Sequence, residues 1–241
     1  ETLAVHSGSP PDPSTGARSF PIFQTTAYVF DDADHAASMF NLQAPGFIYS
    51  RLTNPTVAAL EEKLATLEGG RGGTVTSSGH AAETLVLFPL MAPGMEVIVS
   101  NKLYGGTINL MGKSFRKFGW NAVFVDNDNP EAFRAAVTEK TSAIFVESLA
   151  NPGGVIVDLE AIAKIAQEAE VPLIVDNTMA TPWLCRPFEG GVRTWWCIRR
   201  PNFSPAREMP WEASLLIQDV FPGSAMLNIR ASVNPVLITM D

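Results

Sequence analysis

Short apolar runs alternate with helix-forming segments along the middle of this chain, and this alternation limits its fold more than any other feature. The runs expected to form strands are residues 73–77, 96–100, 121–125, 143–146 and 173–175. Apolar residues at helical spacing lie between them, at residues 81–90, 107–118, 130–137 and 159–169. Repeated βα units with apolar strands predict a mostly parallel sheet that helices cover on both faces. We therefore expect a three-layer α/β/α fold.

A capped helix precedes this alternation. Asn54 is a typical cap, Pro55 suits the first helical position, and Gly69 with the following glycine predicts the helix end. The residues before this helix are rich in proline, glycine and serine, and residues 21–30 are predicted to be extended. We expect residues 1–50 to form an N-terminal arm and residues 51–189 to form part of a large domain.

Composition argues against several classes of function. The 241 residues carry a formal net charge of −8, which disfavours nucleic acid and anionic membranes as partners. The apolar runs are too short to span a bilayer. Cys185 and Cys197 are too few for a disulfide framework or a cysteine metal site, which favours the reducing cytoplasm. Because the chain starts at Glu1 without a signal peptide or initiator methionine, we expect it to be processed or partial.

The turn between the first predicted strand and the next helix is a candidate phosphate site. In a parallel sheet, ligands gather where the strands end. Ser77-Ser78-Gly79-His80 lies at such a point, the free amides at the helix start can hold an anion, and Gly79 permits close approach. The alternative interpretation is an ordinary βα turn built from small residues.

Two tyrosines are candidate ligand contacts. Tyr104, in Leu103-Tyr104-Gly105-Gly106-Thr107, follows the next predicted strand and offers a ring for a flat cofactor to stack on. Tyr49 and Arg51 place a phenol and a guanidinium two residues apart, a suitable geometry for gripping a phosphate. The alternatives are a core tyrosine beside a glycine turn and a solvated pair ahead of a helix.

Carboxylates end two further strands. Asp176 directly follows the apolar run 173–175, and an unpaired carboxylate is costly to bury there, so it requires a cation or several donors. A protonated pyridine nitrogen meets that requirement, whereas the alternative is an aspartate that caps the next turn. Glu147 and Asn151 follow the strand at 143–146 and supply a carboxylate and an amide, or simply form a turn.

Taken in order, these motifs resemble the Cys/Met-metabolism family of pyridoxal-phosphate enzymes. The resemblance covers residues 5–187 and rests on Tyr49-Ser50-Arg51 with Asn54-Pro55, Ser78-Gly79-His80-Ala81-Ala82, Tyr104-Gly105-Gly106-Thr107, Glu147 with Asn151-Pro152, and Val175-Asp176-Asn177-Thr178. It implies the large domain of a fold type I pyridoxal-phosphate-dependent transferase, truncated before the small C-terminal domain. The implied cofactor is pyridoxal 5'-phosphate, and no metal is expected.

The resemblance also implies roles for individual residues. Gly79 and His80 would offer backbone amides to the cofactor phosphate, and Asp176 would hold the pyridinium nitrogen. Tyr104 would stack on the ring as the one catalytic candidate that is present, with Asn151 near the phenolic oxygen.

Three further positions complete this implied site. Thr178 is a cofactor-binding candidate beside Asp176. Tyr49 and Arg51 would reach the phosphate in a neighbouring subunit, which implies a homo-oligomer, a dimer of dimers in this family.

Within that family, the motifs are most similar to those of O-acetylhomoserine sulfhydrylases. The resemblance implies γ-replacement on O-acetylhomoserine by sulfide or a thiol, giving homocysteine and acetate. Alternatives are a methionine γ-lyase, in which a cysteine typically stands at the position of Gly106, or a cystathionine γ-synthase or γ-lyase. A non-catalytic cofactor-binding or assembly protein, or an unstable fragment, is the alternative outside enzymes.

No lysine follows Lys164, although this family follows the aspartate with Ser-x-Thr-Lys. The codons of Trp195-Trp196-Cys197, read one base earlier, force Val-Val and then permit His-Ser-Ala-Thr-Lys-Phe at the family's interval. The hypothesis is that residues 190–241 are an out-of-frame, non-homologous tail. Without the Schiff-base lysine, this chain is expected to be inactive.

Overall fold

The computed structural model describes residues 2–126 and 129–189, together with two short strands at 196–199 and 213–217. Its described strands form one sheet. They are β1 (Gly72–Thr76), β2 (Glu96–Ser100), β3 (Asn121–Val125), β4 (Thr141–Glu147), β5 (Leu173–Asp176), β6 (Trp196–Arg199) and β7 (Ala213–Ile217).

The order of these strands produces a mostly parallel sheet. Across the sheet they run β1-β7-β6-β5-β4-β2-β3. Strands β2 to β6 pair in parallel, and β7 is antiparallel to both of its neighbours. The carboxyl ends of β2, β4 and β5 therefore meet at one edge of the sheet.

Helices connect these strands. They are α1 (Thr2–His6), α2 (Ala33–Phe40), α3 (Pro55–Glu68), α4 (Gly79–Leu87), α5 (Gly105–Asn109), α6 (Pro130–Ala136), α7 (Leu159–Glu168) and α8 (Thr181–Leu184). After α5 the chain continues through a π-helical turn at Leu110–Ser114 and a 3₁₀ turn at Phe115–Phe118. Within the described residues, no helix combines the length and apolar character needed to cross a membrane.

Alternate residues of the central strands face two separate cores. Val97 and Val99 of β2 pack in one cluster with Val86 of α4, whereas Ile98 packs in the other with Ile162 of α7. This alternation follows from the two-residue period of a strand. Both faces of the sheet are therefore buried under helices, which confirms the predicted three-layer α/β/α fold.

The predicted signals of α3 are confirmed. The Asn54 side chain accepts a hydrogen bond from the Thr56 amide at 2.8 Å, and Pro55 occupies the first helical position. At the other end, Gly69 adopts a left-handed conformation with φ of 76°, which a residue without a Cβ adopts at little cost.

The arm contains more regular structure than predicted. Helices α1 and α2 lie within residues 1–50, and the Asp32 side chain caps α2 by accepting from the His35 amide at 2.7 Å. The predicted extended segment at 21–30 does contain a strand-like contact, because Ala27 forms an antiparallel bridge with Tyr49. The sequence reasoning did not identify these two helices, because they are short and lie among turn-forming residues.

Two other segments differ in detail from the sequence-based expectation. Residues 190–213 lie in the expected non-homologous tail, yet β6 pairs in parallel with β5 there. The open edge of β5 can pair with any extended backbone, so such pairing leaves little signal in the sequence. Residues 107–118 are helical as predicted, but α5 changes into the π-helical turn and then into the 3₁₀ turn.

Candidate functional site

A pocket of about 290 Å³ lies where the parallel strands end. It contains six of the eight predicted cofactor-binding residues. Its lining is Ser78, Gly79, His80, Glu83, Tyr104, Thr107, Glu147, Leu149, Asn151, Asp176, Thr178 and Met179. Residues from β4, β5 and the starts of α4 and α5 meet here because these elements begin or end at the same sheet edge.

The start of α4 forms one wall of the pocket. The Ser78 side chain caps this helix and accepts from the Ala81 amide at 3.2 Å. Gly79 and His80 are the first two helical residues, so their backbone N–H groups lie among those that have no acceptor within the helix. This wall is suited to an anion such as a phosphate.

Tyr104 and His80 form an aromatic wall. Their ring centroids lie 6.0 Å apart with an interplanar angle of 30°, and Tyr104 is 44% exposed. A Cβ atom on Gly106 would lie 2.6 Å from Cε1 of both His80 and Tyr104. This packing therefore favours glycine at position 106, because a side chain there would force the two rings to turn aside. The Tyr104 ring remains accessible to a flat ligand.

Asp176 is the last residue of β5, and its carboxylate faces the pocket. Its Oδ1 atom accepts a hydrogen bond from the Thr178 amide at 2.9 Å. An amide donor favours the charged form of this carboxylate, which would in turn stabilise a cationic group in the pocket.

Glu147 holds two loops at the edge of the pocket. Its Oε1 atom accepts from the Tyr104 amide at 2.6 Å, and its Oε2 atom accepts from the Asn151 amide at 2.9 Å. Burial raises the pKa of Glu147 to about 7, whereas the two amides oppose that shift and the nearby Asp176 adds to it. The carboxyl group therefore fixes the position of the ring of Tyr104 relative to the sheet.

Sequence reasoning missed Glu83, a buried carboxyl group in the pocket wall. The residue is 2% exposed, and its Oε1 atom accepts from the Thr107 hydroxyl at 2.7 Å. Its Oε2 atom is buried without a hydrogen-bond partner in the described part of the chain. Burial raises its pKa to about 8, with smaller contributions from Asp176 and Glu147.

One signal for Glu83 was present in the sequence. It is the only charged residue in α4 and lies four residues after Gly79, which places both on the same face of the helix. The sequence could therefore place the Glu83 carboxyl group on the same helix face as Gly79 in the candidate anion site. It could not show that this carboxyl group is buried.

Tyr49 and Arg51 do not join the pocket within one chain. The Arg51 guanidinium carbon lies 5.5 Å from the centroid of the Tyr49 ring, which is 40% exposed. Arg51 lines a separate groove beside α3. These two residues therefore remain available at the surface of a single chain.

The arm holds this segment in place through several polar contacts. The Ser50 amide donates to the Thr26 carbonyl at 2.9 Å, and the Asn54 side-chain amide donates to the Phe23 carbonyl at 3.0 Å. The Phe23 amide in turn donates to the Thr56 hydroxyl at 2.9 Å. The segment with Tyr49 and Arg51 is thus fixed to the start of α3.

Taken together, the pocket walls match a phosphorylated aromatic cation. The start of α4 suits a phosphate, Tyr104 offers a ring face, and Asp176 suits a protonated ring nitrogen. The buried Oε2 atom of Glu83 is an unused polar contact beside this space. In the described ranges, no group of three or more side chains is arranged to hold a metal ion.

Comparison with known proteins identifies relatives of this chain. The chain is 48% identical over 192 residues to the O-acetyl-L-homoserine sulfhydrylase of Leptospira meyeri, covering 80% of this chain and 43% of that protein. It is 46% identical over 193 residues to the same-named protein of Corynebacterium glutamicum, covering 80% of this chain and 44% of the relative. The chain thus spans less than half the length of these curated relatives.

A solved structure shares the fold. The crystal structure of a protein assigned as the O-acetylhomoserine (thiol)-lyase metY of Campylobacter jejuni superposes with a TM-score of 0.82 at 38% identity. The match covers 90% of this chain and 53% of that one, which contains N'-pyridoxyl-lysine-5'-monophosphate. The model of the Cys/Met metabolism PLP-dependent enzymes matches residues 1–193. This chain therefore belongs to the family of pyridoxal-phosphate-dependent enzymes of cysteine and methionine metabolism.

Proposed function

We propose that this chain carries the cofactor-binding part of a site for γ-replacement on O-acetylhomoserine by sulfide or a thiol, with homocysteine and acetate as products. The main support for this proposal is that Gly79, Tyr104 and Asp176 line the same pocket, where they offer contacts for an anion, an aromatic ring and a cation. The names of the curated relatives support the choice of substrate. A cytoplasmic location, predicted from the low cysteine content, forms part of the same proposal.

Each wall of the pocket has a role in holding the cofactor. The amides of Gly79 and His80 bind the phosphate, and the Tyr104 ring stacks on the pyridine ring. Asp176, oriented by the Thr178 amide, keeps a proton on the ring nitrogen. Asn151, whose backbone amide donates to Glu147, lines the same pocket and would contact the phenolic oxygen. When bound, pyridoxal phosphate supplies an electron sink for bond breaking in the amino-acid substrate.

Gly106 favours the sulfhydrylase over the methionine γ-lyase alternative. A side chain at this position would begin 2.6 Å from the rings of His80 and Tyr104. The cysteine typical of those lyases would therefore force the rings of His80 and Tyr104 to turn aside, which favours γ-replacement in this chain.

We also propose that this chain forms a homo-oligomer. Tyr49 and Arg51 lie at the surface and outside their own pocket, although both are suited to phosphate. Symmetric association of two chains would bring this pair to the pocket of the other chain. The site is incomplete in a single copy under this proposal.

We also propose that residues 190–241 are translated out of frame and that the missing lysine is a result. The family model matches residues 1–193, and no lysine occurs after Lys164. Both facts support out-of-frame translation of the tail. A Schiff-base lysine is then absent, so this polypeptide retains the cofactor without a covalent bond and does not turn over substrate.

The test combines cofactor binding with turnover. Pyridoxamine 5'-phosphate is the suitable probe, because it has no aldehyde and cannot react with surface lysines. We expect it to bind the chain and to bind Asp176→Asn at least about tenfold more weakly, because loss of one charge partner costs more than about 1.4 kcal/mol. Equal affinity for both proteins would contradict the proposed site.

Turnover is tested on two matched proteins. The chain as it stands should form no homocysteine from O-acetylhomoserine and sulfide, even with excess pyridoxal phosphate. A version in which the reading frame is restored from residue 190 and continues through the small C-terminal domain that the resemblance implies should form homocysteine. Release of a 2-oxo acid from methionine by that version would instead favour the lyase, and the nucleotide sequence across residues 189–213 tests the frame directly.

A further inference from the structure

Glu83 occupies a position in the pocket to which the proposed chemistry assigns no role. It lies on α4 one turn after Gly79, and helical side chains lean toward the amino end of their helix. Its carboxyl group therefore lies beside the phosphate-binding wall, and it lines the same pocket as Asp176.

The hydrogen bonding of Glu83 is that of a neutral acid. Its Oε1 atom accepts from Thr107, a residue that is 1% exposed, whereas its Oε2 atom has no partner in the described part of the chain. A carboxylate with one unsatisfied, fully buried oxygen is strongly disfavoured, and placing a proton on that oxygen removes the buried charge.

Neither lysine nor arginine is among the described residues that line the pocket with Glu83. Asp176 of β5 and Glu147 of β4 repel a negative charge on it. The same lining contains the Thr107 hydroxyl of α5, which donates to Glu83, the Tyr104 phenol ahead of α5, and His80 of its own helix. An ionised Glu83 would add a third carboxylate to a pocket that must accept a phosphate.

We propose that Glu83 is a positioning residue for the cofactor: as a neutral carboxylic acid it joins α4 to α5 through Thr107, and its ionisation weakens cofactor binding. This inference rests on the proposed function, because the ligand is the same phosphorylated cofactor. The hydrogen bond links the helix that holds the phosphate to the helix that follows the stacking Tyr104. Ionisation would retain that bond but would place a buried anion beside the phosphate.

The substitution Glu83→Gln separates charge from shape. Glutamine keeps an oxygen that accepts from Thr107, and its amide resembles the neutral acid but cannot ionise. At about pH 6.5 we expect Glu83→Gln to bind pyridoxamine 5'-phosphate within about twofold of wild type, because the wild-type group is then uncharged.

The pH dependence of binding provides the decisive readout. Between about pH 6.5 and about pH 9.5, the affinity of wild type for the probe should fall relative to that of Glu83→Gln. The size of this fall is set by the bound phosphate: each unit by which it raises the pKa of Glu83 lowers the affinity about tenfold. Titration of Glu147 and of the cofactor occurs in both proteins, so their comparison removes those contributions. Glu160→Gln, at an exposed position in the first turn of α7, is the matched control for net charge and should follow wild type.

A second variant tests the hydrogen bond itself. Thr107→Val removes the donor that stabilises the ionised form, so the wild-type transition should move to higher pH. A merely structural role would lower affinity at every pH without moving the transition. Melting curves at about pH 6.5 establish that each variant is folded.

The outcomes separate this inference from the proposed function. Equal pH profiles for wild type and Glu83→Gln, with binding intact, would overturn the role of Glu83 alone. A large loss of affinity in Glu83→Gln at about pH 6.5 would also overturn it, because the site would then require a carboxylate. No binding by any of the proteins at any pH would overturn the proposed function and, with it, this role for Glu83.

Discussion

Glu147 and Asp176 are register partners on the last rung that β4 and β5 share. Adjacent strands lie about 4.8 Å apart, so the two residues place acidic side chains side by side at the edge of the pocket. Glu147 accepts hydrogen bonds from the backbone amides of Tyr104 and Asn151, and Asp176 accepts one from the amide of Thr178. The carboxyl group of Glu147 therefore holds the two loops that border the pocket lined by Asp176.

Substitution of Glu147 by glutamine should loosen the loops on both sides of the pocket. Glutamine has one acceptor oxygen, so either the Tyr104 or the Asn151 amide loses its partner. We expect a loss of about 1–3 kcal/mol in the free energy of unfolding, measured by urea denaturation, and weaker binding of pyridoxamine 5'-phosphate. Unchanged stability would show that the two amides find other acceptors.

Substitution of Gly106 by alanine should displace the aromatic wall. The new methyl group would lie within 2.7 Å of two atoms of the His80 ring. The rings can turn aside, so we expect a cost of about 1 kcal/mol in stability and a larger relative loss of cofactor affinity. Adding His80→Ala should recover part of the stability, because it removes the two close contacts with His80, keeps the backbone amide and leaves only the contact with Tyr104; additive losses in the double variant would contradict this interpretation.

The stability of the fold should fall as pH rises from about 4.5 to about 8. Burial raises the pKa of Glu83 to about 8 and that of Glu147 to about 7, above the ordinary value of 4.5. The folded state therefore binds more protons than the unfolded state in this range, and its stabilisation is fully present below the ordinary pKa and lost above the raised one. The free energy of unfolding, measured by urea denaturation at each pH, should fall less steeply with pH in Glu83→Gln than in wild type. An identical dependence on pH in the two proteins would be inconsistent with a buried, neutral Glu83.

Removal of the Asn54 side chain should weaken both a helix and the arm. Asn54→Ala leaves the Thr56 amide and the Phe23 carbonyl without these partners. We expect a loss of about 1–2 kcal/mol, measured as a lower melting temperature. Asn54→Asp is the matched control: it keeps the cap and loses only the amide donor to the Phe23 carbonyl and the Ser50 hydroxyl, so it should retain part of the stability.

The sheet and the pocket could be predicted because their signals are local. The βα alternation predicts both ends of β2 and β3 correctly. The motifs around Gly79, Tyr104 and Asp176 each follow a strand. Parallel pairing then brings those motifs to one edge of the sheet without further information. The same reasoning predicted α3 from Asn54 and Gly69.

The parts that sequence reasoning missed depend on tertiary contacts. Glu83 matters because it is buried against Thr107, which lies 24 positions away in the chain. The pairing of β6 depends on the open edge of β5, and backbone pairing of that kind places few demands on side chains. The π-helical turn after α5 likewise has no simple signature in residues 110–114.

The hydrogen bonds that tie residues 23–27 to residues 49–56 have a thermodynamic consequence for assembly. A loop that must become ordered on association pays conformational entropy for every residue that it fixes. The segment with Tyr49 and Arg51 is already ordered in a single chain. An oligomer would therefore lose little of its contact free energy to the ordering of these residues. Subunits whose arms are already formed should associate more tightly than subunits whose arms have been loosened.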